Sequence, residues 1–492
     1  MIIAGLDVGT TGAKIALYDE NAVLINTYYN EYPSDHKNGK HEINFADVRN
    51  GVMGLLKKAA KEHKISAMAV TSFGETCALL GEDDEILAPS MLYTDSRGSE
   101  ECKETAAKFG EKKLTLAAGV KPHSMYSIYK VMWQKKNNPE LFAKCKHILL
   151  GEDFIVYSLT GVAQIDYSLA ARTGAFDVEN LCYIKEVLDF AGVDEKLFSK
   201  PVPSGTVAGV LTEKVKAELG IDYDITVING CHDQVAAMIG SGAFDTEYAM
   251  DGTGTVECIP VILDKKPEDP EFYSYGYCAV PFLNGKFACY AFSFTGGATL
   301  KWFRDNFAEL DALNAEKKGK NVYAELDSKI DSTPSGILVL PHFAGAATPY
   351  MDTESKAAFV GVTLETSKYD LYKALMEGTS FEMLLNFDLV SKFATKPKGI
   401  LASGGGANSD VWLQIKADIL NMSVTALSCK EIGAAGTAAL AGVTMGAYCG
   451  LAETTAKMAK PRKVFYPDAE NAGRFAELYK KYKNLYNAVK GL

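Results

Sequence analysis

The chain lacks the marks of several large protein classes. Its 492 residues include ten cysteines, but no C-x-x-C pair and no zinc-ligand spacing, which removes metal-finger and dithiol-redox readings. The cysteines sit mostly in apolar stretches, as at Cys77, Cys258 and Cys289, and read as reduced, buried thiols of a cytoplasmic protein. Positive charge is in deficit: 51 Lys and Arg against 62 Asp and Glu leave a formal charge of -11. That argues against a nucleic-acid partner, while a small anion needs only local positive potential. Low-complexity tracts are absent. Acidic Asp7 and a glycine turn interrupt the first apolar run, so no signal peptide is expected. Residues 432–452 carry no charge, but they are mostly Ala, Gly and Thr. Transfer of such a stretch into lipid is weakly favourable at best, so it reads as a helix packed through small residues and not as a membrane span. Neither of two common nucleotide motifs occurs, G-x-x-x-x-G-K-[ST] or G-x-G-x-x-G.

What the chain does have is a pair of glycine-threonine turns far apart. One is Asp7-Val8-Gly9-Thr10-Thr11-Gly12-Ala13-Lys14; the other is Asp251-Gly252-Thr253-Gly254-Thr255. Each lies between two apolar runs and reads as a β-hairpin tip, where glycines open backbone angles closed to other residues. Free N–H groups in a tight turn make an anion-binding concavity. Either turn alone is an ordinary bend. As a pair, each with an Asp, they suggest a duplicated fold gripping a polyphosphate.

The length exceeds one compact core and predicts two large domains, 1–243 and 244–492. The opening reads as strands over 2–7, 13–18 and 23–29, a helix over 46–61 with Val48, Val52, Leu55 and Leu56 on one face, and a parallel strand over 65–71. The pattern returns after residue 250, with strands near Asp251, over 256–263 and over 287–292, and a helix over 297–307. A strand over 400–406 ends in the glycine run Gly404-Gly405-Gly406. The helix that follows, 410–421, has Val411, Trp412, Ile415, Ile419 and Leu420 as its buried stripe, with Asn408 and Ser409 able to cap it. The fold class is α/β.

Between residues 227 and 237 a buried strand is expected to break at Gly230, and the polar triplet His232-Asp233-Gln234 opens a small-residue helix. Asp233 can cap that helix or accept a proton from a substrate hydroxyl; His232 reads as a structural histidine. Thr71-Ser72-Phe73-Gly74-Glu75-Thr76 ends a strand with polar groups that can bind hydroxyls or simply close the strand. Asp95 with Arg97 reads as an internal ion pair, and Glu152 and Asp153 as structural acids.

These motifs in this order resemble the FGGY carbohydrate kinases nearly end to end. The resemblance rests on D-x-G-T-T, Y-x-D-x-R, D-F-I-V-Y-S-L-T-G, the 166–177 stretch, G-C-H-D-Q-V-A-A, D-G-T-G-T, T-G-G-A-T-L-K-W-F-R-D-N, L-P-H-F-A-G-A-A-T-P-Y and G-G-G-A-N-S-D-V-W-L-Q. It implies two actin-like (ribonuclease H-like) domains, as in sugar kinases and heat-shock chaperone ATPases, with a central cleft between them. It implies ATP-dependent phosphoryl transfer to a sugar or polyol hydroxyl, with Mg²⁺. By position, Asp233 is implied as general base, and Glu75, Thr76, Asp233 and Gln234 as substrate binders. Thr10, Thr11 and Lys14 would approach the terminal phosphates, with Asp7 on the metal. Gly252, Thr253 and Gly254 match the second phosphate turn; Gly296, Gly297, Gly405, Gly406 and Asn408 match nucleotide-binding segments. A homodimer is implied by resemblance alone. Glycerol kinases carry an Arg directly before the Glu, where this chain has Gly74, and a Tyr where Met125 stands. G-Q-M-H-G, common in xylulokinases, is absent. The resemblance therefore disfavours glycerol, and the small Gly74 is expected to leave room for a longer ketopentose or deoxyketohexose. A chaperone-type ATPase and a sugar-sensing binding protein are the alternatives on the same fold.

Overall fold

The computed structural model describes residues 1–35 and 39–491. In chain order, the elements that matter for function are β1 (Ile2–Val8), β2 (Gly12–Tyr18), β3 (Leu24–Glu31), α1 (Phe45–Glu62), β4 (Ile65–Ser72), β5 (Val207–Val210), β6 (Thr226–His232) and α2 (Asp233–Ser241). They continue with β7 (Tyr248–Thr253), β8 (Glu257–Leu263), β9 (Phe287–Ser293), α3 (Gly297–Phe307), β10 (Gly399–Ser403), α4 (Asp410–Leu420), β11 (Ser423–Leu427), α5 (Ile432–Thr444) and β12 (Pro461–Phe465).

The chain divides into two compact units. Unit 1 holds Met1–Phe244, Cys278–Ala288 and Glu431–Ala459; unit 2 holds Asp245–Tyr277, Cys289–Lys430 and Lys460–Leu492. The chain thus leaves unit 1 after Phe244 and returns to it twice, where the sequence reading drew one linear boundary. The second return carries the uncharged stretch, now helix α5. No helix among the described residues is long and apolar enough to cross a membrane.

In unit 1 the sheet order is β5-β6-β4-β1-β2-β3. β1, β2 and β3 form an antiparallel meander, and β4 and β6 add in parallel beyond β1. In unit 2 the order is β9-β8-β7-β10-β11-β12. There β7 pairs antiparallel with β8 and parallel with β10, and β12 closes the edge antiparallel to β11. The run β3-β2-β1-β4-β6 in the first sheet corresponds to β9-β8-β7-β10-β11 in the second, but the edge strands differ: β5 precedes β6 in the chain, whereas β12 follows β11.

Alternation along β1 decides what each face of the first sheet does. Ala4, Leu6 and Val8 join the core with Val48, Val52, Leu55 and Leu56 of α1. Asn44 caps α1 by accepting the Ala46 N–H, leaving its apolar face to pack. Ile3, Gly5 and Asp7 point to the opposite face, where α5 lies. A Cβ on Gly5 would overlap the Ala434 carbonyl, so backbone meets backbone there. Helix α5 meets α2 the same way: a Cβ on Gly240 would overlap the Ile432 carbonyl, and one on Gly436 the Ala236 carbonyl. Small residues in α5 thus serve contact at the distance of bare main chain.

The expected break at Gly230 does not occur. Strand β6 runs on to His232, with a register irregularity against β4 between Asn229 and His232. Gly230 is needed for another reason: a Cβ there would overlap the Val70 carbonyl of β4.

Gly240→Ala should cost about 1–3 kcal/mol through overpacking against a rigid carbonyl. Gly473→Ala, whose Cβ meets nothing within 4 Å, should hold or raise the thermal midpoint. Equal midpoints for the two variants would contradict the close-contact reading.

Candidate active site

Three chain ends converge at one edge of the first sheet in unit 1. Asp7 is the second-to-last residue of β1, Asp233 opens α2, and Glu431 immediately precedes α5. Asp7 and the residue after Glu431's helix start are near neighbours: a Cβ on Gly433 would stand 3.0 Å from Asp7 Oδ2. Lys14, across the hairpin from Asp7, donates from Nζ to Glu431 Oε2 at 2.7 Å. Burial alone would lower the Lys14 pKa, but that hydrogen bond and the Glu431 and Asp7 charges raise it. Asp7 is pushed up to about 6, mainly by burial, with Lys14 opposing and Glu431 adding to the rise. The hairpin tip is tight. Gly9 N donates to Gly12 O at 2.9 Å, and the Tyr32 hydroxyl donates to Gly9 O at 2.5 Å. Among the described residues, the Thr10 and Thr11 hydroxyls have no hydrogen-bond partner.

Asp233 keeps 33% of its side-chain surface, yet its proton affinity is that of an enclosed acid. Its pKa rises to about 7, through burial first and then the negative charges of Asp7 and Glu75; the Gln234 backbone N–H and Arg172 pull the other way. Its Oδ1 finds no hydrogen-bond partner. The His232 Nε2 lies 3.3 Å from that oxygen. Burial and the Arg172 charge hold the imidazole pKa well below its usual value, so the ring is neutral. Asp233 does not cap α2; His232 holds the cap position, without a side-chain cap bond. A partly exposed carboxylate with a raised pKa is suited to taking a proton from a hydroxyl.

Glu75 lies on a strained backbone. Its φ is +64°, and Thr76 N donates to Gly74 O at 2.7 Å across it, a tight three-residue turn. Its carboxylate is held by Arg172, whose Nε donates to Oε1 at 2.6 Å and whose Nη2 reaches the same oxygen. Arg172, from the short turn Ala171–Thr173, also lies over the Tyr126 ring at 5.2 Å. Tyr93 stands at the exposed rim, its pKa raised by burial and by the Glu75 and Asp233 charges.

Two sequence expectations are corrected here. The space beside Gly74 is not open, because a Cβ there would meet Arg172 Cγ at 3.0 Å and the His232 ring at 3.1 Å. The glycine makes room for Arg172, not for extra substrate. Thr76 is fully buried, with its hydroxyl unpartnered inside the protein, so it presents no surface to a ligand. Gln234 is half-buried beside Asp233, with no side-chain partner among the described residues. Asp95 and Arg97 form the expected pair at 2.8 and 2.6 Å. Glu152 and Asp153 are fully buried: Glu152 accepts from Asn229 at 3.1 Å and Asp153 from Ser199 at 2.6 Å.

Unit 2 gathers the other glycines. The turn 254–256 is exposed between β7 and β8. Gly296 N and Gly297 N donate to Thr255 O and Gly254 O at 2.9 and 2.8 Å, so these two glycines dock α3 onto the turn. Gly404, at φ +87°, and Gly406 both press on Thr253: added Cβ atoms would stand 2.6 Å from its carbonyl oxygen and 2.7 Å from its Cβ. Gly254 and Gly405 differ. Their added Cβ atoms would meet nothing nearer than 3.9 Å, and both are exposed, leaving bare main chain that a flat ring or a phosphate can approach. Gly252 is half-buried within β7. Asn408 donates back to Gly405 O at 3.1 Å inside a 3-10 turn, and Ser409 alone caps α4. The Thr253 hydroxyl faces inward, 1% exposed, donating to Asp251 Oδ1 at 2.7 Å. Thr253 therefore offers a ligand no hydroxyl.

Sequence reasoning missed Arg172, Tyr93, Glu431 and Lys416. Arg172 and Tyr93 sat inside quoted motifs without an assigned role. Glu431 is the last charge before the uncharged stretch. Lys416 falls four residues after Trp412, in phase with the apolar stripe of α4, which was the available signal.

Family models place this geometry among known proteins. Residues 2–240 match the N-terminal domain, and residues 253–445 the C-terminal domain, of the FGGY family of carbohydrate kinases. The chain is 25% identical over 500 residues to a xylulose kinase of Bacillus subtilis (strain 168), covering 100% of this chain and 97% of the relative. It is 25% identical over 438 residues to a gluconokinase of the same organism, covering 85% and 83%. Among solved structures, a ligand-bound xylulose kinase from Lactobacillus acidophilus matches with a TM-score of 0.90 and 25% identity, over 100% of this chain and 98% of that one.

Arg172→Met should destabilise the protein by about 3–5 kcal/mol, because it leaves the Glu75 carboxylate buried and alone. Arg172→Met with Glu75→Gln should recover most of that loss in denaturant titrations. A double variant no more stable than the single one would show that the pair is not what holds this corner.

Proposed function

Because the chain belongs to the FGGY family of carbohydrate kinases, we propose that it phosphorylates a neutral ketose, a pentulose or deoxyhexulose, with Asp233 as the group that takes the proton. It is an ATP-dependent phosphotransferase with an alcohol group as acceptor, and it works with Mg²⁺. The observation that carries the proposal is the Asp233 carboxyl, one third exposed and raised to about 7 by burial and by the Asp7 and Glu75 charges.

Charge balance supports a neutral acceptor. Around Asp233 stand Asp7 and Glu75; the Arg172 charge is taken up by Glu75 and the Lys14 charge by Glu431. An aldonate would bring its own carboxylate into this negative surround. Xylulose-kinase relatives at 25% identity agree with a pentulose. Gln234, Tyr93 and the exposed part of the Asp233 side chain supply polar and flat surface for a polyhydroxy chain.

In the reaction the acceptor hydroxyl oxygen bonds to the γ-phosphorus of ATP as the bond from that phosphorus to the β-phosphate oxygen breaks, and ADP leaves. The hydroxyl proton passes to Asp233, a transfer worth about 10²–10⁴-fold. Glu75, fixed by Arg172, orients hydroxyls. Among the described residues, no group of three or more His, Cys, Asp or Glu side chains could hold a metal ion. Mg²⁺ keeps several waters and binds through one or two carboxylates plus phosphate oxygens; Asp7 is the carboxylate proposed. When bound there, Mg²⁺ would supply positive charge against the charge developing on those oxygens. Thr10, Thr11 and Lys14 in unit 1, and the bare backbone at Gly254 and Gly405 in unit 2, are the proposed nucleotide contacts.

ADP release measured across pentuloses, deoxyhexuloses, polyols and aldonates should give the highest kcat/KM on a ketose; a preference for gluconate or glycerol would overturn the substrate reading. Asp233→Asn should lower kcat by about 10²–10⁴-fold while ADP still binds by calorimetry. Because the base must be ionised, kcat/KM should fall as pH drops through about 7. Near-normal turnover in Asp233→Asn would remove Asp233 from the mechanism.

A further inference from the structure

Lys416 is the most enclosed cation described in unit 2, 1% exposed on the apolar side of α4. Burying a charged amine costs several kcal/mol unless each donor is matched, and an ammonium has three. All three are matched. Nζ donates to Asp251 Oδ2, to Thr253 Oγ1 at 2.7 Å and to Glu257 Oε1 at 2.7 Å. The Trp412 ring lies 4.8 Å away, adding a cation–π contact.

The three acceptors sit on both arms of one hairpin. Asp251 and Thr253 belong to β7, Glu257 to β8, and Thr253 faces Glu257 directly across the pair. Between these arms lies the exposed turn 254–256. Thr253 is also the residue on which Gly404 and Gly406 rest, and Trp412 lies 3.2 Å from where a Gly406 Cβ would be. One ammonium therefore ties together the base of the second phosphate turn and the glycine run after β10. These are the two stretches of bare main chain proposed above for the nucleotide.

We infer that Lys416 is a positioning residue for the nucleotide. Held by Asp251, Thr253 and Glu257, it fixes the turn 254–256 and the run 404–406 in the spacing that a nucleotide needs, without touching the nucleotide. This rests on the proposed placement of nucleotide contacts in unit 2.

The test is calorimetric titration with ADP, alongside sugar KM and thermal midpoint. Lys416→Met keeps length and removes charge. It should raise the ADP dissociation constant at least about tenfold and leave the sugar KM unchanged; the added change Glu257→Gln, which removes one stranded carboxylate, should recover part of the ADP affinity. If Lys416→Met does not fold, Thr253→Val decides, since it deletes only the shared hydroxyl: weaker ADP binding at an unchanged midpoint supports the inference. Wild-type ADP affinity in either folded variant overturns it. So does a loss in which ADP affinity and sugar KM worsen together with the midpoint. A wild-type protein that binds no ADP would remove the nucleotide reading itself, a result distinct from any variant effect.

Discussion

Everything in the proposed chemistry of unit 1 depends on main chains meeting without side chains between them. Gly5 of β1 lies against Ala434 of α5, Gly240 of α2 against Ile432, Gly436 of α5 against Ala236, and Gly230 of β6 against Val70 of β4. Replacing any of these glycines forces a Cβ into a carbonyl. The contacts draw β1, α2 and α5 close enough that their ends meet, and at or beside those ends stand Asp7, Asp233 and the Glu431 that precedes α5. A looser packing would still build a sheet with helices on it, but the carboxylates would stand apart.

Crowding of like charge then sets the chemistry. Asp7 and Asp233 both have raised pKa values because water is scarce around them and other acids are near. Lys14 and Arg172 do not cancel this, since each is held by another carboxylate, Glu431 and Glu75. The starts of α2 and α5 add partial positive charge that favours anions nearby. The balance leaves one carboxylate, Asp233, with a proton affinity near neutrality and one oxygen unengaged. In unit 2 the same problem has the opposite solution. Lys416 matches its two carboxylates and a hydroxyl so fully that the cluster is inert to ligands and works by holding shape.

Much of this was legible in the sequence, and the reason is local. The two hairpin tips, the helix over 297–307 and the small-residue helix α5 announce themselves through glycine placement and apolar periodicity, which act within a few residues. The α/β class and the family followed from the same motifs. What was not legible depends on contacts across long separations. Arg172 reaches Glu75 over 97 positions and Lys14 reaches Glu431 over 417. Gly74 looked like free space because nothing nearby in sequence says that Arg172 and His232 fill it. Gly230 looked like a strand end because the carbonyl it must clear belongs to another strand. Thr253 looked like a phosphate donor because its partners Asp251 and Lys416 take its hydroxyl inward only once β7 and α4 are packed.

The central claim is that neighbouring acids and burial lift the Asp233 carboxyl toward neutrality. A ¹³C-carboxyl NMR titration, assigned by difference against Asp233→Asn, measures this directly. The account predicts titration at about 7, moving to lower pH in Asp7→Asn, where one repelling charge is gone. Titration in the ordinary aspartate range near 4, or a value unmoved by Asp7→Asn, would contradict it.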